Sequence, residues 1–313
     1  MVIRDRSRPG SAPQANGRMG NPLGRRRFIA GAAATLIGYP LTSKAAPQER
    51  RIASLNWAIS ETLYGLGITP IAAAETASYD LVVGQPRTPA TTVDIGLQGA
   101  PNFEYIAQLS PDIILIQTWQ ESLRAPLARC APVETIGIHT GEGDVYRHAC
   151  DAVRKIGALT GRVVESETFL AGVEARFASL RKSMQAKPMV PLYLVQMIDD
   201  NNLTVFSRGS LFDAALSKLG LVNAWQGEPT LLWGGAVIGI EQLATDPKAR
   251  IILIDSPGLA PEEALTKSPL WTTLPAVRSG RFTRIPSFWG FGALPTTIRF
   301  AETIASSLEG IPG

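Results

Sequence analysis

Two histidines and two cysteines in 313 residues leave little from which to build a metal centre. Neither His139 nor His148 belongs to a recurring ligand motif, so both are read as surface or internally satisfied side chains. The signatures G-x-S-x-G, G-x-x-x-x-G-K-[ST] and G-x-G-x-x-G are all missing. The glycines of Gly141-Glu142-Gly143-Asp144 suit an ordinary turn, and Asp199-Asp200, followed by Asn201-Asn202, suits a solvated turn between strands. The sequence therefore offers no catalytic residue, and no enzyme activity or cofactor is expected. There is no run of 18 apolar residues, which excludes a spanning helix. A basic surface is missing too. Residues 1–45 hold eight basic groups and one acid, so residues 46–313 carry 22 basic and 26 acidic groups, a net charge of −4. Such a body has no electrostatic reason to bind nucleic acid.

What is present begins with an address. Arg25-Arg26-Arg27 precede an apolar stretch from Phe28 to Gly38, then Pro40 and the small residues Ser43, Ala45 and Ala46. That order reads as an export signal, and paired arginines before Phe28-Ile29 resemble a twin-arginine signal. Cleavage is expected near Ala45 or Ala46, the basic segment is long enough to make Met19 a candidate start, and the destination is the periplasm. In that oxidising compartment Cys130 and Cys150 become candidates for a disulfide. Closing a loop of about 20 residues would stabilise by about 3 kcal/mol.

The body repeats a pattern. "LYGLGITP" at 63–70 is echoed by "LSKLGLVN" at 216–223, each a helix end closed by a glycine. "LSPDIILIQ" at 109–117 is echoed by "TDPKARIILID" at 245–255, each a helix, a proline and a buried apolar strand. The expectation is α/β: two similar lobes with mostly parallel sheets, the first at 46–145 and the second at 187–313. Residues 146–186 join them. A break is expected near Gly161, followed by a helix of about 22 residues, which would span about 33 Å.

Aromatic residues then stand where they are hard to bury. Trp57 opens a helix after a strand, Trp119 follows "IILIQT", Trp225 and Trp233 flank "NAWQGEPTLLWGGAV", and Trp289 lies in "PSFWGFGALP". Ligands of open α/β sheets bind outside the carboxyl ends of strands. Trp271, in "SPLWTTLP", is assigned to packing.

These features together resemble the periplasmic ferric-hydroxamate siderophore-binding proteins of ABC importers, of the helical-backbone class. The segments that carry the resemblance are "LNWAISETLYGLGITPIAAA", "VDIGLQGAPNFEYIAQLSPDIIL", "LTVFSRGSLFDAALSKLGLVNAWQGE", "WGGAVIGIEQLA", "SPLWTTLPAVRSGRFTRIP" and "FWGFGALPTTIRF". The resemblance implies one long backbone helix between the lobes, a shallow cleft, and a monomer that hands a ferric siderophore, such as a ferrichrome-like complex, to an inner-membrane permease and its ATPase. Iron would be held by the siderophore and not by protein ligands. Trp225, Trp233 and Trp289 would line the second lobe's side of the cleft. Three tryptophans contributing about 1.5–3 kcal/mol each would supply much of the roughly 8 kcal/mol of a micromolar site.

Departures from the family pattern are informative. The pocket arginine of better-known members is replaced by Gln98. Their pocket tyrosine falls near Trp119 or Gln120, a second tyrosine becomes Phe291, and a serine becomes Gly235. Arg208 is a candidate to restore the lost positive charge. A hydroxamate or mixed siderophore suits this set better than a tris-catecholate complex, whose triple negative charge calls for several arginines. For the permease, the resemblance implies one docking acid on each lobe, and Glu121 and Glu241 are the candidates. The same fold carrying another iron-siderophore, cobalamin or haem is the alternative, and an exported α/β enzyme a more distant one.

Overall fold

The computed structural model describes residues 50–185, 190–256 and 268–309. The export-signal reading of residues 1–45 lies outside the described residues. The strands of the first lobe are β1 (Ile52–Ser54), β2 (Ala72–Ala73), β3 (Val93–Asp94), β4 (Gly96–Leu97), β5 (Ala100–Pro101), β6 (Ile113–Ile116) and β7 (Val133–Thr135). Five of them form a wholly parallel sheet in the order β3-β2-β1-β6-β7, while β4 and β5 make a small hairpin. The second lobe has β8 (Leu192–Met197), β9 (Asn202–Phe206), β10 (Gly235–Gly239), β11 (Arg250–Ile254) and β12 (Phe282–Ile285), in the order β10-β9-β8-β11-β12.

This second sheet is mixed. β8, β11 and β12 run parallel, whereas β8, β9 and β10 pair antiparallel. The cause is the Asp199 turn. Asp199 Oδ1 accepts the N–H groups of Asn201 and Asn202, both at 2.8 Å. A connection this short cannot carry a crossover, so the strands it joins must be antiparallel. The segment ahead of "RIILI" is a 3₁₀ turn, Ile240–Ala244, rather than an α-helix.

Between the sheets lie helices Val145–Thr160 and Val163–Met184. Gly161, with φ +72°, takes the left-handed conformation that ends the first of them. The two helices cross closely: a Cβ on Gly157 would lie 2.4 Å from Ser166 Oγ. Helix Leu294–Glu309 joins this layer.

Strand periodicity divides the apolar side chains. Ile52, Ile113 and Leu115 face inward with Leu192, Leu194, Ile252 and Ile254 of the other sheet. They pack with Ile156, Phe177, Phe212 and Phe300 into one core shared by both lobes and the helices between them. Alternate residues face outward into separate clusters, one behind each sheet. Cys130 packs against the cluster behind the first sheet and Cys150 against the inner core, so the two thiols lie on opposite faces. Both are unpaired, which corrects the disulfide expected from the oxidising compartment.

Candidate functional site

The order β3-β2-β1-β6-β7 reverses direction between β1 and β6. At such a switch point the connections leave opposite faces of the sheet and open a crevice. The residues after β1 are Leu55 and Asn56, and those after β6 are Gln117, Thr118 and Trp119. In the second sheet the reversal lies between β8 and β11, and Ile198 and Ser256 follow those strands. The two crevices meet in one cleft.

Its centre is a row of rings. Trp57 of the first lobe lies 5.1 Å from Trp289, Trp289 lies 5.0 Å from Phe291, and Phe291 lies 4.1 Å from Trp233, centroid to centroid. One cavity, of about 280 Å³, is lined by Asn56, Gln98, Gln117, Trp119, His139 and Leu232 as well as Trp233, Trp289 and Phe291. A second cavity, of about 350 Å³, is walled by Met197, Ile198, Phe206, Ser256 and Phe288 together with Trp233, Trp289 and Phe291. Trp119 is 54% exposed and Leu232 72%, a large apolar surface left open at the mouth. Among the described residues, no lysine or arginine lines either cavity.

Two local devices hold the row. Gly234, at φ +79°, lies on the backbone of Gly209 and Ser210, where a Cβ would come within 2.0 Å of Ser210 N. Only glycine fits there, and the fit places Trp233 next to it. The segment after Trp289 is gripped by the first lobe. Glu61, fully buried on helix Trp57–Gly65, accepts the N–H of Ala293 at 2.7 Å and that of Thr296. These are orphan donors at the start of helix Leu294–Glu309, where a carboxylate is favoured. Burial pushes the Glu61 carboxyl above its ordinary value, although the Thr296 hydroxyl, these N–H groups and Arg299 pull it down. His139 Nε2 adds a bond of 2.9 Å to the Gly292 carbonyl.

The polar wall is a hydrogen-bonded chain. Asn56 Oδ1 caps its helix by accepting from Ala58 N–H at 3.0 Å, and its Nδ2 donates to Gln98 Oε1 at 3.0 Å. Gln98 Nε2 donates to Glu75 Oε2 at 3.0 Å. Gln98, at the tip of the β4–β5 hairpin, therefore lines the cleft as an uncharged group, and the charge bonded to it is an acid.

Of the other expected residues, Trp119, Trp233, Trp289 and Phe291 come together here. Trp57 is the buried end of the row and lines neither cavity, its Nε1 donating to Ala74 O at 3.2 Å, which corrects its expected place on the ligand. Three further expectations are corrected. Gln120 is buried and spent on structure: Nε2 donates to Leu55 O at 2.9 Å and Gln98 O at 2.7 Å, and Oε1 accepts from Gln117 N–H. Trp225 packs on the cluster behind the second sheet and lines neither cavity. Arg208 is 67% exposed at the side chain and pairs with Glu228. It borders a groove of about 610 Å³ beside helices 145–160, 163–184 and 211–219 that contains no tryptophan. It also lines a small cavity of about 50 Å³ with His139 and Leu232, but neither of the two cavities beside the rings.

Glu121 and Glu241 lie on the 3₁₀ turns Thr118–Leu123 and Ile240–Ala244, both outside the cavities. The Arg124 guanidinium, bonded at 2.7 Å, and the Thr135 hydroxyl hold the Glu121 carboxyl down to about 2. Glu241 is exposed. Sequence reading passed over Asn56, Gln117, His139 and Leu232. Gln117 immediately follows a strand at the switch point and Asn56 is the second residue after one, a signal that strand order supplies and spacing does not.

Among the described residues, no cluster of three or more His, Cys, Asp or Glu side chains is placed to hold a metal ion, and no helix is long and apolar enough to cross a membrane. The sequence profile of the family described as periplasmic binding protein matches residues 52–287. The chain is 31% identical over 290 residues to the iron(3+)-hydroxamate-binding protein FhuD of Escherichia coli (strain K12), covering 92% of this chain and 97% of that one. It is 24% identical to the achromobactin-binding periplasmic protein of Dickeya dadantii (strain 3937), over 77% of this chain and 80% of that one. The crystal structure of the Fe3+–Desferal-bound siderophore-binding protein FhuD from Vibrio cholerae superimposes with a TM-score of 0.79 at 28% identity, covering 85% of this chain and all of that one.

Proposed function

The chain belongs to the periplasmic binding protein family, and on that premise we propose that it captures a ferric hydroxamate siderophore without net negative charge and delivers it to an inner-membrane ABC importer. The observation that carries this reading is the composition of the cleft: four exposed or half-buried aromatic rings, four carboxamides and no lysine or arginine among the described lining residues. A neutral trihydroxamate complex presents apolar and carbonyl surface, which large rings and N–H donors suit. A carboxylate or tris-catecholate complex would bring net negative charge to a wall already bonded to Glu75, and desolvating it without a partner is unfavourable. The two hydroxamate-related similarities support the same cargo.

In this reading the protein is an exported monomer, its twin-arginine-type segment directs it to the periplasm, and it carries out no chemistry of its own. The siderophore encloses the iron, and ferrichrome-like complexes belong to the cargo class. Glu121 and Glu241 are the acids offered to the permease, with Glu241 the more available because Glu121 is already held by Arg124. The test is a titration of residues 46–313 with ferrichrome, a ferrioxamine and ferric aerobactin, followed by tryptophan fluorescence. Saturable quenching at micromolar concentration or below with the two neutral or cationic hydroxamates, and weaker binding of the carboxylate-bearing aerobactin complex, is the expected result. Preference for the anionic complex would overturn it.

A further inference from the structure

Glu75 is an acid where local chemistry favours other residues. It is the N-cap of helix Thr76–Val82, with φ 51° and ψ 49°, one of two non-glycine residues with positive φ among those described. Glycine or asparagine takes this left-handed backbone at less cost, and a short polar side chain would cap the helix; glutamate is favoured for neither task. The Glu75 side chain does not cap. Asp94 serves instead, its Oδ2 accepting from the Thr76 N–H at 2.6 Å and from the Thr76 hydroxyl at 2.8 Å. The Glu75 carboxylate is bonded to the β4–β5 hairpin: Oε2 accepts from Gln98 Nε2 at 3.0 Å and from the Gln98 N–H at 3.4 Å. A residue held in an unfavourable backbone state, and not used for the local task, is a candidate for function.

Gln98 lines the 280 Å³ cavity and Glu75 does not, so the carboxylate stands one side chain behind the wall. The carboxamide between them is engaged at both ends, since Gln98 Oε1 accepts from Asn56 Nδ2 at 3.0 Å and from the Trp57 N–H at 3.4 Å. Charge acts across that distance without contact. Among the described residues no lysine or arginine is bonded to Glu75, and none lines either cavity. Glu75 is half-buried, so water screens it only in part. The wall therefore carries an uncompensated negative field.

We propose that Glu75 makes the cleft select, among ferric hydroxamates, those that carry a positive group such as a pendant ammonium. This rests on the hydroxamate reading of the cleft and names the charge class of its cargo. Three hydroxamates neutralise Fe3+, so the net charge of such a complex comes from the groups at the ends of its chain. A cationic end gains from the Glu75 field, a neutral one is indifferent to it, and a carboxylate is repelled. The gain does not require the ammonium to touch the carboxylate, so the group keeps much of its hydration at the mouth of the cleft.

The experiment compares two complexes that differ in that charge alone. Ferrioxamine B ends in an ammonium, and its N-acetyl derivative has the same chain and iron centre with the charge removed. Affinities come from fluorescence titration. The unaltered protein is expected to bind ferrioxamine B about three- to five-fold more tightly than the acetylated complex. That advantage should shrink at about 0.5 M salt. Glu75→Gln keeps an oxygen for Gln98 and removes the charge, so it should bind both complexes alike, with its affinity for the acetylated one unchanged. Thermal unfolding checks that the variant is folded; if it is not, Glu75→Gly, which suits the left-handed backbone, replaces it. Equal or reversed affinities in the unaltered protein, or a preference that survives in the variant, would overturn the proposal. So would an equal loss of both complexes in the variant, which would make Glu75 only a brace for Gln98. If the unaltered protein binds the two complexes equally, the charge preference alone has failed. If it binds neither, the hydroxamate reading has failed and the preference with it.

Discussion

Glu61 and Ala293 stand 232 residues apart in the chain and are joined by a hydrogen bond of 2.7 Å inside the protein. The carboxylate comes from the first helix of one lobe and the N–H from the start of the last helix. That N–H follows directly on the Trp289–Gly292 segment of the cleft, so the aromatic row is set by a residue that never reaches the ligand.

Glu61→Ala is therefore expected to cost about 3 kcal/mol of folding stability, since it leaves two buried N–H groups unpaired. Ligand affinity should fall as well, because the segment carrying Trp289 and Phe291 loses its anchor. Denaturant unfolding and fluorescence titration of the same variant check both. Glu61→Gln restores at most one acceptor and should fall between.

The two tryptophans of "NAWQGEPTLLWGGAV" should behave oppositely. Trp233→Ala and Trp289→Ala are expected to weaken ligand binding by about 10- to 100-fold, as anchors in apolar pockets do. Trp225→Ala should leave affinity within about three-fold and instead lower stability by about 2–3 kcal/mol, less than a fully buried tryptophan would. Paired affinity and stability measurements on the three variants decide the matter.

Gly234→Ala puts a methyl group into the backbone of Gly209 and Ser210. The loop must move, and Trp233 moves with it. We expect affinity to drop at least about ten-fold and stability by more than about 2 kcal/mol. Gly280, which also has positive φ but nothing within 4 Å of a Cβ, is the control for conformational strain alone. Gly280→Ala should cost stability and leave binding intact.

Glu121 carries a pH signature. Its carboxyl is lowered from 4.5 to about 2 by Arg124 and then Thr135. A depressed folded value means that stability from this group is present above about 4.5 and lost as pH falls toward about 2. Glu121→Gln should flatten that acid limb, by a small amount because the pair is exposed. Charge reversal at Glu241, alone and with Glu121, should cut uptake in cells and leave siderophore affinity unchanged. Unaltered uptake in the double variant would remove both from docking.

Much of this architecture is legible in the sequence because it is written in local chemistry. Gly67, Gly161 and Gly220 close helices, and "IILI" and "RIILI" are strands buried on both faces. The antiparallel half of the second sheet is less visible, since the Asp199 turn announces a turn but not its consequence for strand direction. At the cleft, Trp119, Trp233, Trp289 and Phe291 stand out as large rings among glycines and strand ends. Trp225 has the same surroundings in sequence and a different fate, because its segment is anchored by Asn223, which is bridged to Leu192 and bonded to Phe206 O and Asp213. Gln117 and His139 do not stand out as cleft residues, because what holds them there is a bond to the distant Ile138 in one case and Gly292 in the other.

The core shared by the two sheets and the helices between them has a mechanical meaning. Swinging one lobe against the other would pull Phe177, Phe212 and Phe300 out of contact with residues from both sides. Each large apolar side chain returned to water costs about 1.5–3 kcal/mol, so a wide jaw-like motion is opposed by the same burial that folds the chain. The receptor then behaves as a mould, with its outline cast before the cargo arrives. Cargo of the wrong outline is rejected by shape, and scattering profiles of the empty and loaded protein should nearly coincide.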